Sequence, residues 1–201
     1  MRVSRAQAAE NRQTVIDTAG RLFREHGFDG IGLKDLMHEA GLTQGAFYKQ
    51  FASKEDLIAQ ATGRALETAE ARWVSAVASR PQDPLSAVVD FYLSPQHRDQ
   101  RMEGCPVVAL GGEVARKGPD VKAPFEAGVR AHLAQMADIL GETEGPGSKA
   151  MTTLATMVGA MVLSRAVNDE RLSMQLLQSA RESILADRGM AEAAPKNGTT
   201  Q

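Results

Sequence analysis

The chain has 201 residues, of which 43% are hydrophobic and 24% charged: a soluble, globular composition with room for one large or two small domains. A single cysteine excludes an internal disulfide and points to a reducing, cytoplasmic setting, while the start MRVSRAQAAENR lacks the apolar stretch of a secretory signal. The longest uncharged run, Ala150 to Ser164, is too short to span a bilayer, so no membrane partner is expected.

With only 4% aromatic residues and abundant Ala, Leu, Met, Glu, Gln and Arg, the composition favours helix over strand. The first helix is expected over about Ala8–His26, with Val15, Ala19, Leu22 and Phe23 inward and Gly27–Gly30 ending it. Between Leu33 and Phe51 the sequence LKDLMHEAGLTQGAFYKQF reads as two short helices. Leu33, Leu36, Met37 and Ala40 form one buried stripe, and Gly41 supplies the left-handed stop. Thr43 is placed as an N-cap whose hydroxyl meets a free amide of the second short helix. Phe47 and Phe51 face in, which leaves Gln44, Tyr48 and Lys49 facing out. A helix, a tight glycine turn and a second helix with a polar outer face is a helix-turn-helix, whose second helix enters the DNA major groove.

Ser53 then caps a long fourth helix ending near Ser79, about 40 Å at roughly 1.5 Å per residue. The fifth, from Pro84 and marked by Leu85, Val88, Val89 and Tyr92, ends near Ser94-Pro95, followed by a polar connection from Gln96 to Glu103. Cys105 precedes a sixth segment reaching about Lys117; the seventh covers about Val121–Leu140, with Pro124 in its first turn. The eighth, Lys149–Val167, is apolar nearly all round, and the ninth, about Glu170–Arg188, carries Leu172, Leu176, Ala180 and Ile184 on one line. A polar tail, expected to be disordered, follows from Met190. The expectation is an all-α chain of about nine helices: a three-helix head over residues 1–52, a six-helix body over 53–189, and a tail over 190–201.

The segment Gly41-Leu42-Thr43-Gln44-Gly45-Ala46-Phe47-Tyr48, with Phe51 and Lys54 after it and Ala19, Leu22-Phe23 and Gly27-Phe28 before it, resembles the signature of the TetR/AcrR family of bacterial transcriptional regulators. The resemblance spans about residues 12–60 and is specific because many spacings match together. Two positions depart: Gly32 stands where the family has Ser or Thr, and Gln50 where it often has His. The resemblance implies a nine-helix architecture and phosphate contacts from Tyr48 and Lys54. Read from the residues, Thr43 and the helix-start amides meet phosphate, and Gln44 has an amide suited to adenine. Gly45 allows close backbone approach, and Lys49 faces phosphate. Lys34 is a further candidate contact or a solvated lysine, and Tyr48 has a half-buried core position as its alternative.

Net charge is −2, and residues 1–60 hold eight basic and eight acidic residues, so overall charge decides nothing about DNA. Residues 1–24 are more informative: Arg2, Arg5, Arg12, Arg21 and Arg24 face only Glu10 and Asp17, an electrostatic footprint for phosphates or a solvated helix start. One short recognition helix buries little surface, so a homodimer reading a palindromic operator is expected. The last two helices are the expected interface, as the family resemblance also implies; closing the monomer core is their alternative.

The resemblance further implies an effector pocket in the body, for which Trp73, Phe91, Tyr92, Phe125, His132, Met157 and Met161 are candidates, each with plain core packing as its alternative. The segments Gly104-Cys105-Pro106 and Val158-Gly159-Ala160 resemble a branch of the family that senses electrophiles through a cysteine. Pro106 as first helical residue puts Cys105 at an N-cap, where the helix dipole favours thiolate, with Arg98 and Arg101 near in sequence. An inert, buried thiol is the alternative. No cofactor, metal site or catalytic constellation is expected, since His26, His38, His97 and His132 lack metal-ligand spacing. The competing functional reading is an all-helical interaction module or enzyme whose head no longer reads DNA.

Overall fold

The computed structural model describes the backbone of residues 4–192 and the side chains of residues 4–186. Arg2 and the expected tail beyond Glu192 lie outside the described residues. Helix α1 spans Arg5–His26, α2 Leu33–Glu39, α3 Gln44–Phe47, α4 Lys54–Ser79 and α5 Pro84–Tyr92. Helix α6 spans Pro95–Asp99, a 3₁₀ turn covers Arg101–Glu103, and α7 runs over Pro106–Val114. Helices α8 (Pro119–Leu140), α9 (Ser148–Ala166) and α10 (Glu170–Glu192) complete an all-α fold. The described residues thus form ten α-helices rather than about nine. The addition is α6, in the stretch read as a polar connection: the Ser94 side chain accepts from the His97 amide at 3.1 Å, and Pro95 begins the turn.

Local chemistry sets the boundaries. Helix α1 starts at Arg5 rather than Ala8 because the Ser4 hydroxyl accepts from the Gln7 amide at 3.1 Å. Gly41, at φ 72°, ends α2 in a Schellman motif: its own amide donates to His38 at 2.9 Å and that of Leu42 to Met37 at 2.9 Å. Ser53 and Asp56 cap α4 reciprocally, Asp56 N–H donating to Ser53 Oγ at 3.0 Å and Asp56 Oδ2 accepting from the Ala52 amide at 3.0 Å.

Two apolar cores result. The first joins Ala19, Phe23 and Phe28 to Leu36, Met37, Phe47 and Phe51, closed by Leu57 and Ile58 of α4. It also takes in Leu110 and Val114 of α7, so residues 1–52 do not close this core alone. The second gathers Trp73, Val88, Val89 and Tyr92 with Met136, Met157 and Met161, and with Leu177 and Ile184 of α10. Burying one Phe or Leu side chain is worth about 1.5–3 kcal/mol, so α7, contributing to both cores, binds them together. No helix among the described residues is long and apolar enough to cross a membrane.

Candidate nucleic-acid interface and effector pocket

The polar face read between α2 and α4 is present. Phe47 stacks on Phe51 with ring centroids 5.3 Å apart and both rings buried, which turns the opposite side of α3 outward. Thr43, Gln44, Gly45 and Lys49 are exposed, and Tyr48 is 68% exposed, so the core alternative for Tyr48 is overturned. The Tyr48 ring lies edge-on to Phe47 at 5.2 Å. Nothing lies within 4 Å of where a Cβ on Gly45 would stand, and its φ is not positive, so neither packing nor backbone geometry within the chain demands glycine there.

One expectation about the head is corrected, and two gain partners within the chain. Thr43 is the N-cap of α3, yet its hydroxyl makes no capping bond, so the hydroxyl and the Gln44 and Gly45 amides stay free for an outside acceptor, while the Ala46 amide donates to the Thr43 carbonyl at 2.9 Å. Lys54 is half-buried and donates from Nζ to the Ile31 carbonyl at 3.1 Å, tying α4 to the turn before α2. Its ammonium keeps further protons, but the side chain has a structural partner. The arginine-rich start is mostly structural as well. Arg12 lies over the Phe51 ring at 5.0 Å and bonds Gln60, Arg21 pairs with Glu103 at 2.9 Å, and Arg24 donates to the Met102 carbonyl at 2.6 Å. Burial lowers the Arg24 guanidinium to about 10, against the opposing pull of the Glu103 carboxylate. Arg5 and Lys34 remain exposed.

In the body, a cavity of about 310 Å³ opens between α4, α5 and the 94–105 segment. Trp73, Phe91, Tyr92, His97 and Cys105 line it, with Arg72 and Glu103 at its edge. Trp73 sits edge-on to Tyr92 at 5.8 Å, and the His97 ring lies parallel to Phe91 at 6.2 Å. His97 has both nitrogens occupied: Nδ1 donates to the Tyr92 carbonyl at 2.6 Å, and Nε2 accepts from the Cys105 amide at 2.8 Å. That pairing needs a neutral ring, and burial pushes the imidazole down to about 4. The Tyr92 hydroxyl is buried without a hydrogen-bond partner of normal geometry; its electrostatic neighbours are the Cys105 thiol and Arg165, and burial raises it well above its ordinary value.

Four arginines from three helices hold the wall of this cavity. Arg72 of α4 grips Glu103 by its carboxylate at 2.6 Å and also by its backbone carbonyl, while Arg21 and Arg24 of α1 take Glu103 and Met102. Arg165 of α9 donates to the His97 carbonyl at 2.6 Å and to that of Arg98 at 3.0 Å. Burial alone would raise the Glu103 carboxyl, but Arg72, Arg24 and Arg21 hold it below its ordinary value.

Residues 15–61, which carry this outward-facing helix, match the model for bacterial regulatory proteins of the tetR family. That segment is a tetR-family regulatory domain. It is 25% identical over 134 residues to the HTH-type transcriptional repressor NemR of Escherichia coli K12, covering 65% of this chain and 67% of that one. The HTH-type transcriptional regulator AcrR of Shigella flexneri is 32% identical over 92 residues, 46% of this chain and 43% of the relative. In fold the chain resembles the reduced form of E. coli NemR, with a TM-score of 0.73 at 21% identity over 87% and 95% of the two chains. A TetR-family regulator from Cytophaga hutchinsonii gives a TM-score of 0.75 at 18% identity, over 92% and 98%. The matched head segment and the shared fold together support a DNA-binding transcriptional regulator of TetR type.

Against the TetR plan, four of the body residues singled out from sequence meet at one site: Trp73, Phe91, Tyr92 and Cys105. The other four do not. Phe125 packs against the first core, its ring 3.6 Å from where a Cβ on Gly111 would stand. Met157 and Met161 are fully buried in the second core. His132 lies behind the cavity wall, edge-on to Trp73 at 4.8 Å, with Nδ1 bonded to the Gly128 carbonyl at 2.9 Å. Arg98 is turned to Asp99, Glu170 and Ser173; Arg24 and Arg165 are the guanidiniums in electrostatic reach of Cys105. Sequence reasoning missed His97, Arg72 and Glu103. The Ser94-Pro95 cap was the only local signal that His97 stands on a helix rather than in a loop.

Proposed function

We propose that this regulator is a homodimeric repressor that leaves a palindromic operator when an effector fills the 94–105 cavity or when Cys105 is modified. The observation that carries the DNA half is the division of the α3 region, with Phe47 and Phe51 buried and Thr43, Gln44, Gly45, Tyr48 and Lys49 exposed together. Gln44 reads a base edge, Tyr48 and Lys49 take phosphates, and Gly45 admits the backbone. Lys54 positions the head through Ile31 and offers its remaining protons to phosphate. Lys34, exposed at the start of α2, is an outer phosphate contact. The competing module or enzyme reading gains nothing from these residues.

Met151, Val162 and Leu163 of α9 and Leu172 of α10 support dimerisation: large apolar side chains, each at least 41% exposed, on two neighbouring helices. A second copy covers them in an isologous four-helix contact. The head, residues 1–52, and the body, 53–189, act as the reading and sensing units. Cys105 supports the sensing half, because a thiol 5% exposed beside a cavity meets reagents small enough to enter it. Titrating the protein onto a palindrome from upstream of its own gene, at several salt concentrations, tests the DNA half. Affinity falling steeply with salt is expected; a weak, salt-independent affinity for every duplex favours the non-DNA reading.

A further inference from the structure

Helix α7 touches both ends of the molecule's function. Its N-cap is Cys105, in the cavity wall, and nine residues further on, about 13 Å at roughly 1.5 Å per residue, it ends under the head. Along that length its surroundings change. Val107 and Val108 pack on the second core, whereas Leu110 and Val114 are buried in the first, among Phe23, Phe28 and Leu36. Among the described residues, the polar link from this helix to the head is Glu113, whose Oε2 accepts from the Phe28 amide at 2.8 Å. That amide sits just past the C-terminus of α1, in the turn that aims α2 and α3.

The turn is fitted to the carboxylate. Gly27 has φ 78°, and a Cβ there would stand 2.3 Å from Glu113 Oε1, so the turn accepts Glu113 only with glycine at that position. Lys117, one turn beyond Glu113, reaches over the Phe28 ring with Nζ 5.8 Å from its centroid. A short helix does not bend to absorb a displacement at one end, so load on its N-cap reaches the other.

We propose that Glu113 is the positioning residue through which the state of the Cys105 wall sets the attitude of the DNA-reading head, by holding or releasing the Phe28 amide. This rests on the effector reading above, and adds the residue that transmits the change. Bulk added at Cys105 drives α7 along its axis, Glu113 leaves the Gly27–Phe28 turn, and α2 and α3 lose their fixed relation to the body. Glu113 touches neither DNA nor effector.

The test is amide hydrogen exchange at residues 27–32 in the full chain, before and after N-ethylmaleimide, for wild type, Glu113→Ala and Glu113→Gln. Cys105→Phe adds a variant that imposes bulk without any reagent. In wild type, bulk at Cys105 should speed exchange at Phe28 about tenfold or more, the loss of one charge-assisted bond. Glu113→Ala should exchange fast with or without the bulk, while Glu113→Gln, which keeps an acceptor, should restore most of the difference. Unchanged Phe28 exchange in alkylated wild type and in Cys105→Phe overturns the proposal. Operator affinity measured on the same samples separates the two ideas. Fast exchange with the operator still held keeps Glu113 as the link and sinks release by Cys105; release with Phe28 exchange unchanged does the opposite.

Discussion

His97 Nε2 accepts the amide of Cys105 at 2.8 Å, so the residue that starts α7 is held by the residue that walls the cavity. Its other nitrogen is bound to the Tyr92 carbonyl at 2.6 Å, and the ring is fixed as the neutral Nδ1–H tautomer. Cys105 is therefore poised by a neighbour eight residues away, in a segment pinned to α1, α4 and α9 by arginines.

A pH dependence follows. Burial takes the His97 imidazole from 6.5 down to about 4, so its contribution to stability is complete above pH 6.5 and is lost as pH falls towards 4. By pH 5 the loss is about 2 kcal/mol, at about 1.36 kcal/mol per pH unit. His132, also lowered by burial, acts in the same sense. Urea melts at pH 7.5 and pH 5 check this: His97→Gln, which keeps an acceptor for Cys105, should flatten most of the difference. An equal acid sensitivity in wild type and variant would count against a neutral, buried His97.

Tyr48→Phe removes one hydroxyl from a ring that is 68% exposed and leaves the edge contact to Phe47 in place. Thermal stability should stay unchanged while operator affinity drops about tenfold, the worth of one hydrogen bond to a charged oxygen. Lys49→Ala should reduce the salt slope of binding by about one. Wild-type affinity in both variants would misplace the reading face.

Gly45→Ala separates packing from recognition. The new methyl meets nothing within 4 Å, and alanine favours helix over glycine by up to about 1 kcal/mol. The variant should melt at or above the wild-type temperature and bind operator more weakly. Improved stability with undiminished binding would mean that the DNA backbone does not approach at this position.

Leu163→Arg places a charge on a side chain that is 52% exposed in the single chain. Light scattering at micromolar concentration should report a dimer for wild type and a monomer for the variant, with helicity by circular dichroism retained. A dimeric variant would move the interface off α9.

The head was legible from sequence because its determinants are local. The Gly41 stop, the Ser53 cap and the four-residue spacing of Phe47 and Phe51 each fix a turn of chain without reference to distant residues. The cavity was legible only by halves. Trp73, Phe91, Tyr92 and Cys105 stood out as aromatic or reactive, but Met157, Met161 and Phe125 carry the same helical periodicity and point elsewhere. Period alone marks an inward face without saying which core it faces. The arginine links were invisible, since Arg21 and Glu103 are 82 residues apart and a surface arginine looks the same as a clamping one until the chain is folded.

On the proposed reading, the chemistry at Cys105 decides whether the head holds DNA. A gel shift on the upstream palindrome, with wild type and Cys105→Ser each before and after N-ethylmaleimide, tests it most directly. Loss of the shifted band in treated wild type, with Cys105→Ser retaining it, is the predicted result. Equal retention by both proteins, once mass spectrometry confirms alkylation of Cys105, would contradict the claim and leave that thiol as packing.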